Sequence, residues 1–495
     1  MPKGCPRRGN GFALSTGLPA DSGTFPAAAS VGGQAMIGRR SMSLAGAGTG
    51  LALVLGLSLP AAGQPAASAE SPFLRHGKLR IAASGTHLEH ADGTPFFFLA
   101  DTVWCGPALS TAEDWRTYLN DRKKKGFTAI QFNAICPWRT APTDREGRTA
   151  YRLEGKRLIP NEAYFRQLDE RIEAIHQAGL LAVPVLVWAH KKGDAGFDLS
   201  EEQVIELARF QVQRYEKYPC LFILAGDARY TGKEAERWRR IGRAVFASRK
   251  DLLVTTHPTG MNFPWKDWEG ETWLNIWAYQ SGHGDDSRTW AWLHSGPPAQ
   301  FGQRWAGIKR PIINLEPPYE GHNGYQSRKP HSAENVRRAA YWSLLVAPPA
   351  GLTYGAHGLW SWQTESGQEP RDHQGTGIAK TWKEALEFPG ATQMGYLRRF
   401  LESLPWTELR PAPDFVQQQS AEKDPSTFVA CARTADGRVT VVYFPPRAQA
   451  QVRLHVSDPK QVRWYNPREG TWRDNSPRGL LVPPDEQDWL LVVQA

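Results

Sequence analysis

From residue 96 onward, short apolar runs alternate with longer segments whose apolar positions recur with a helical period. The runs are Phe96–Ala100, Ala129–Asn133, Leu181–Val187, Leu221–Ala225, Leu252–Thr256, Leu274–Tyr279, Pro311–Leu315 and Leu352–Gly355. Each is hydrophobic almost throughout rather than alternating, the pattern of parallel strands covered on both faces. The segments between them predict helices over Ala112–Lys125, Glu162–Ala178, Ser200–Tyr215, Lys233–Ser248, Thr289–Trp305 and Ser332–Val346. Ser200 followed by Gln203 forms a capping-box pattern, and Gly126 and Gly179 stand where a helix C-terminus favours glycine. Strand–helix repeats of this kind predict an α/β fold, a (β/α)8 TIM barrel over residues 96–400. Its fifth helix is the weakest, because Pro258–Thr272 reads as a loop.

Before the barrel, Leu79, Ile81 and Leu88 with the turn Asp92-Gly93-Thr94-Pro95 predict a β-hairpin within residues 70–95, closing the barrel bottom. Past Pro405 the pattern becomes short alternating strands at Phe428–Ala432, Val439–Phe444, Val452–Val456, Val462–Tyr465 and Trp489–Val493. Residues 405–495 are therefore expected to form a small C-terminal antiparallel β-sandwich. Such a domain either braces the barrel or binds polymer.

The chain has 495 residues, 41% hydrophobic and 22% charged, which excludes a disordered protein. Five cysteines are too few for a disulfide scaffold. The formal charge is +9, but Lys3, Arg7, Arg8, Arg39 and Arg40 of the leader face only Asp21. The remainder is nearly balanced, so no nucleic-acid partner is expected. In residues 1–69, Arg39-Arg40 precedes an apolar run from Leu44 and a small-residue end at Ala67-Ser68-Ala69. This is the layout of an export signal, starting at Met1 or Met36, and the paired arginines resemble a twin-arginine signal. The run is broken by glycines and Pro60 and carries no terminal cysteine, so no stable membrane anchor is expected. The expected destination is the periplasm or the extracellular space.

Barrel chemistry sits at the C-terminal ends of the strands. There the sequence offers Asp101 and Trp104 after strand 1, Asn133 and Trp138 after strand 2, and Trp188 and His190 after strand 3. Asp227 follows strand 4, His257 strand 5 and Tyr279 strand 6. Glu316, Tyr319 and Glu320 follow strand 7, and Trp360 follows strand 8. Strands 4 and 7 face one another across a barrel mouth, so Asp227 and Glu316 can flank one bond. Acetal hydrolysis needs such a pair, one carboxylic acid to protonate the leaving oxygen and one carboxylate to attack the anomeric carbon. Glu316 reads as the nucleophile and Asp227 as the acid/base, with the Glu316 charge keeping Asp227 protonated. The aromatic and polar residues Asp101, Trp104, Asn133, Trp188, His190, His257, Tyr279, Tyr319, Glu320 and Trp360 are the candidate substrate contacts. No metal or organic cofactor is expected, because a metal-dependent barrel wants His-x-His after strand 1 where Asp101-Thr102 stands.

The segments Asp92-Gly93-Thr94-Pro95-Phe96, Ala100-Asp101-Thr102-Val103-Trp104, Gly226-Asp227 and Glu316-Pro317-Pro318-Tyr319-Glu320 resemble the apiosidase-like glycoside hydrolases, family 140. The sandwich resembles the collagen-binding-type module found with those barrels, although no residue pattern here speaks for collagen binding. The resemblance spans nearly all of residues 73–495. It implies a retaining barrel glycosidase with an Asp acid/base after strand 4, matching Asp227, and a nucleophile after strand 7, matching Glu316. It further implies a pectic substrate, since characterised relatives cleave apiose linkages in rhamnogalacturonan II. Ala228-Arg229 and His257-Pro258-Thr259-Gly260 depart from that pattern. The rival reading is a non-catalytic polysaccharide-binding protein on the same scaffold, which would keep the aromatic rim without needing both carboxylates.

Overall fold

The computed structural model describes residues 71–495 except 138–139, 305–306, 308, 453–459 and 476–480. The leader with Arg39-Arg40, Trp138 and most of the Val452–Val456 run lie outside the described residues.

Eight parallel strands form one sheet: β1 (Phe98–Thr102), β2 (Ala129–Asn133), β3 (Leu181–Trp188), β4 (Leu221–Gly226), β5 (Leu253–Thr255), β6 (Trp277–Gln280), β7 (Ile312–Glu316) and β8 (Gly351–Gly355). All their residues are buried except Trp188, as expected of runs covered on both faces. The hydrogen-bonded order β5-β4-β3-β2-β1-β8-β7-β6 is the sequential order of a barrel with its seam between β5 and β6. Side chains bridge that seam. Val254 N donates to Asn275 Oδ1 at 2.8 Å, Asn275 Nδ2 donates to the Leu252 carbonyl at 2.6 Å, and the Thr255 hydroxyl donates to the Ile276 carbonyl at 3.0 Å. Asn275 N also donates to the Val254 carbonyl at 3.2 Å, so backbone and side chain of this one residue both tie β5 to the segment before β6.

Among the helices are α1 (Ala112–Lys125), α2 (Glu162–Gln177), α3 (Glu201–Tyr215), α4 (Gly232–Phe246), the single turn α5 (Trp265–Trp268), α6 (Ser287–Ser295), α7 (Ala333–Leu345) and α8 (Pro389–Glu402). Thr111 caps α1, Glu113 and Asp114 occupy its first turn, and Arg122 to Lys125 its last, complementing the helix dipole. Both reciprocal bonds of the Ser200–Gln203 capping box are present. The helix expected over Thr289–Trp305 is broken: α6 stops at Ser295 and a separate turn runs over Pro297–Gly302. Pro297 and Pro298 have no amide hydrogen to continue α6, but they suit the start of a new helix.

The first barrel strand starts two residues later than its apolar run. Pro95–Phe96 instead pairs with Leu88–His90, which pairs with Leu79–Ile81, giving three short antiparallel strands where the sequence suggested two. This small sheet lies against the N-terminal ends of the barrel strands. Gly85 approaches so near that a Cβ there would lie 2.4 Å from Lys309 Cα, and Leu79 shares a hollow with Leu181, Cys220 and Leu253. A further hairpin, Tyr151–Glu154 with Arg157–Pro160, interrupts the β2–α2 connection.

At the C-terminus six antiparallel strands follow: β9 (Leu409–Pro411), β10 (Ala430–Thr434), β11 (Val439–Phe444), β12 (Gln461–Asn466), β13 (Thr471–Asp474) and β14 (Trp489–Gln494). They are ordered β9-β10-β11-β14-β12-β13. One face carries Val429, Cys431, Val442, Phe444, Trp464 and Leu491 under the short strand pair Val416–Gln418 and Gln451–Val452. The other face, with Ala432, Val441, Tyr443 and Leu490, belongs to the same apolar core as the barrel. Arg337 of α7 binds Asp488 through two hydrogen bonds of 2.8 Å, Tyr341 stacks on Tyr443 at 4.8 Å, and Trp342 Nε1 donates to the Phe428 carbonyl.

Candidate active site

Asp227 directly follows β4 and Glu316 ends β7, on opposite sides of the barrel mouth. One carboxylate oxygen from each and a ring nitrogen of His257, two residues past β5, all lie within 4.8 Å of one another. They stand at a cavity of about 300 Å³. At about 30 Å³ per liquid water, that is roughly ten waters' worth of space, close to the heavy-atom count of one sugar ring.

Local sequence explains how the acid is presented. Asp227 has a left-handed backbone with φ of 47°, a costly conformation for a residue with a Cβ, and its neighbour Ala228 bridges to Pro258. Gly226 is required before it: a Cβ there would fall 2.1 Å from Cε3 of Trp188. That indole meets Trp104 edge-on at 5.2 Å, and both indoles pack on His257, at 5.7 Å and 5.5 Å. Asp227 does not pair with Arg229, the partner its sequence neighbourhood offers. The basic side chains near it are His257 at 3.7 Å and His190 at 3.9 Å, and its buried Oδ1 has no hydrogen bond.

Glu316 sits deeper, its side chain 8% exposed. His283 Nε2 lies 2.9 Å from Oε1, whereas Oε2 has His257 Nε2 at 3.3 Å but no aligned hydrogen bond. Burial alone would raise its pKa. The two histidines more than reverse this and hold the carboxylate far below its usual range. For Asp227, burial and the Glu316 charge act together and push it up to about 8, with His257 opposing. Burial would lower His257, but Glu316 and Asp227 outweigh that and raise it. The site therefore presents one ionised and one protonated carboxyl to the same small space, the separation of roles that acid–base chemistry on one bond requires.

Among the sequence-derived contacts, Trp104, Trp188, His190, Tyr319 and Trp360 line this cavity, and His257 is buried between the two carboxyls. Four others point elsewhere. Asp101, inside β1 because the strand runs on to Thr102, turns outward and accepts from Tyr118 Oη at 2.7 Å and Arg122 Nε at 2.9 Å of α1, with no exposed surface. It ties strand to helix and touches no ligand space. Tyr279 faces outward against Phe263 and Trp292, while Gln280, after a bulge in the ladder, reaches the cavity instead. Glu320 accepts from Tyr354 Oη at 2.7 Å and Gly390 N at 2.9 Å, bracing the loop after β7 against α8. Asn133 is buried off the cavity wall, with both amide atoms lacking partners.

Several cavity residues lie too far past a strand for a strand-end reading to catch. His283 is three residues beyond β6. His322 and Tyr325 come from the loop after β7, and Asp372 and His373 from the long loop after β8. Lys191 and Asp372 join the loops after β3 and β8 by an ion pair of 2.9 Å. Asp194 shapes the first of these loops by accepting from the amides of His190 and Lys191. Cys105 and Cys136, whose pairing the sequence left open, are both free and buried.

Among the described residues, Asp227, His257 and Glu316 are the group whose atoms come near enough to hold a cation. Glu316 Oε1 is already engaged by His283, and Asp227 is driven towards its neutral acid. The trio therefore suits proton transfer and nucleophilic attack better than metal ligation.

Comparison with known proteins bears on the family and the fold. The family model for the apiosidase-like catalytic domain matches residues 82–408. A solved structure described as a glycoside hydrolase is 22% identical, with a TM-score of 0.71 over 86% of this chain and 98% of the other. A family 5 glycoside hydrolase from Bacteroides vulgatus gives the same identity and TM-score over 86% of this chain and 94% of its own. At such identities the likeness speaks for the fold. No curated protein matches the chain.

Proposed function

Because the chain belongs to the apiosidase-like catalytic-domain family, and is thereby a glycoside hydrolase, we propose that it cleaves its glycoside by double displacement, with Glu316 as nucleophile and Asp227 as acid/base. The observation that carries this reading is the approach of Asp227, Glu316 and His257 to within 4.8 Å. Carboxyls about 5–5.5 Å apart suit direct attack, whereas inverting enzymes leave about 6.5–9.5 Å for a water.

The electrostatics fit both half-reactions. Protonated Asp227 donates to the leaving oxygen as ionised Glu316 attacks the anomeric carbon. Ester formation removes the Glu316 charge, and with it one cause of the raised Asp227 pKa. Asp227 then ionises more readily and takes a proton from the incoming water. Trp104, Trp188 and Trp360 give the cavity apolar faces for a sugar ring, and His190 and Tyr319 give it polar edges. An apiose-bearing pectic glycan is the substrate class to which the family points, and the Arg39-Arg40 leader supports export to meet it.

The test is NMR of the first anomer released from pectic oligosaccharides. Release with retained configuration is expected, and the inverted anomer would exclude the double displacement. The rival reading, a non-catalytic carbohydrate-binding barrel, predicts binding without any release.

A further inference from the structure

The sequence Glu316-Pro317-Pro318-Tyr319 contains two residues without an amide hydrogen, so the first N–H after Glu316 is that of Tyr319. It donates to Nδ1 of His283 at 3.3 Å, while Nε2 of the same ring lies 2.9 Å from Glu316 Oε1. Nδ1 must therefore offer its lone pair, and the ring proton sits on Nε2. A doubly protonated ring would set an Nδ1–H against the Tyr319 N–H. One imidazole thus spans both ends of the Glu316–Tyr319 segment, and the backbone end dictates its tautomer.

The ring is fixed on its other sides as well. It stacks on His322 at 4.2 Å and packs on the Tyr319 ring at 4.5 Å. The His283 carbonyl accepts from Tyr325 N and His331 Nε2, each at 3.0 Å. The titratable groups around it are Glu316, Tyr319, Tyr325, His322, His331 and, behind His322, His357. Each of these three histidines has a ring nitrogen on a backbone carbonyl, and burial keeps all three below their ordinary pKa, so they bring no competing charge. Glu316 also faces His257, Asp227 and Tyr319.

We infer that His283 is a positioning residue for Glu316, held by the Tyr319 amide as the neutral Nε2–H tautomer, occupying Oε1 and leaving Oε2 as the attacking atom. The inference rests on the reading of Glu316 as nucleophile. Oε2 is buried and makes no aligned hydrogen bond, with His257 Nε2 at 3.3 Å, so it is the less engaged of the two oxygens. When Oε2 bonds the anomeric carbon, Oε1 becomes the ester carbonyl and still accepts from Nε2–H. The same donor therefore serves before and after the covalent step.

The experiment uses the whole protein with ¹⁵N-labelled histidine and ¹³C-labelled glutamate, assigned by His283→Gln and Glu316→Gln. His283 should appear as the Nε2–H tautomer at neutral pH; an Nδ1–H tautomer or a doubly protonated ring overturns the inference. In His283→Phe the Glu316 titration midpoint should rise by about 1–2 pH units, and His283→Gln should restore most of the difference. Equal midpoints in the wild-type and Phe proteins also overturn it. With substrate, His283→Phe should lose roughly 10- to 100-fold in kcat, with the acid limb of its pH profile moved upward. A wild-type kcat and profile would again refute it. Should His283→Phe fail to fold, the wild-type tautomer decides alone. The resonance measurements need no turnover, so a protein that hydrolyses nothing sinks the glycosidase reading while the placement of His283 is still judged.

Discussion

Trp188 lies across Gly226 with no room for a side chain between them, since an added Cβ would come 2.1 Å from the indole. The wall of the cavity and the residue before the acid are thereby set by one contact. Gly226→Ala is expected to displace the indole, cost about 1–3 kcal/mol of stability by overpacking, and lower kcat/KM at least tenfold. Thermal melting alongside initial rates checks this; an unchanged kcat/KM would mean that the indole does not shape the substrate site.

Asp227 and Glu316 should respond to neutralisation with opposite signs. The folded Asp227 keeps its proton to about 8, above the ordinary carboxylate range near 4, so the folded state binds a proton that the unfolded state has lost. Its contribution to stability therefore falls as pH rises between those values. Asp227→Asn removes that loss and suits the left-handed backbone, so it should melt higher at pH 7. Glu316 is held below its usual range and contributes stability above it, so Glu316→Gln should melt lower, by about 1–3 kcal/mol. Melts that move in the same direction would contradict the division of charge.

Activity should fall on the alkaline side of a midpoint near 8, because the proton lost there is the one given to the leaving group. Asp227→Asn should abolish that limb and lower kcat by about 10²–10⁴-fold for substrates with poor leaving groups. In Asp227→Gly, azide should restore turnover of an activated glycoside and yield a glycosyl azide of retained configuration. Absence of that product argues against an acid/base role.

Arg337 and Asp488 are buried together between α7 and the head of β14, their side chains 5% and 0% exposed. Arg337→Met leaves Asp488 with only Arg468 Nη1 at 3.3 Å and the Tyr443 hydroxyl at 3.4 Å, and should cost about 1.5–3 kcal/mol. Denaturant unfolding followed by tryptophan fluorescence would read it; a loss below about 1 kcal/mol would show the pair to be incidental.

The apolar runs made all eight barrel strands legible to within a few residues, and the two carboxylates with them, because a strand buried on both faces has little else it can be. Errors arose where a boundary moved by two residues. β1 runs on to Thr102, two residues past the end of its apolar run, so Asp101 lies within the strand with its side chain on Arg122 of α1 instead of on the rim. A bulge does the same for Tyr279 and Gln280. His283 was invisible for a different reason: its role depends on Pro317 and Pro318 bringing the Tyr319 amide round to it, a relation between distant segments that no local pattern records.

The barrel and the terminal sheet share one uninterrupted interior, in which Ala432, Val441 and Leu490 are as much barrel filling as Leu344 or Leu397. Such a lobe cannot be shuffled as a free-standing cassette. Calorimetry should find a single melting event for both lobes, and a gene cut at Pro405 should yield an insoluble fragment rather than a smaller hydrolase.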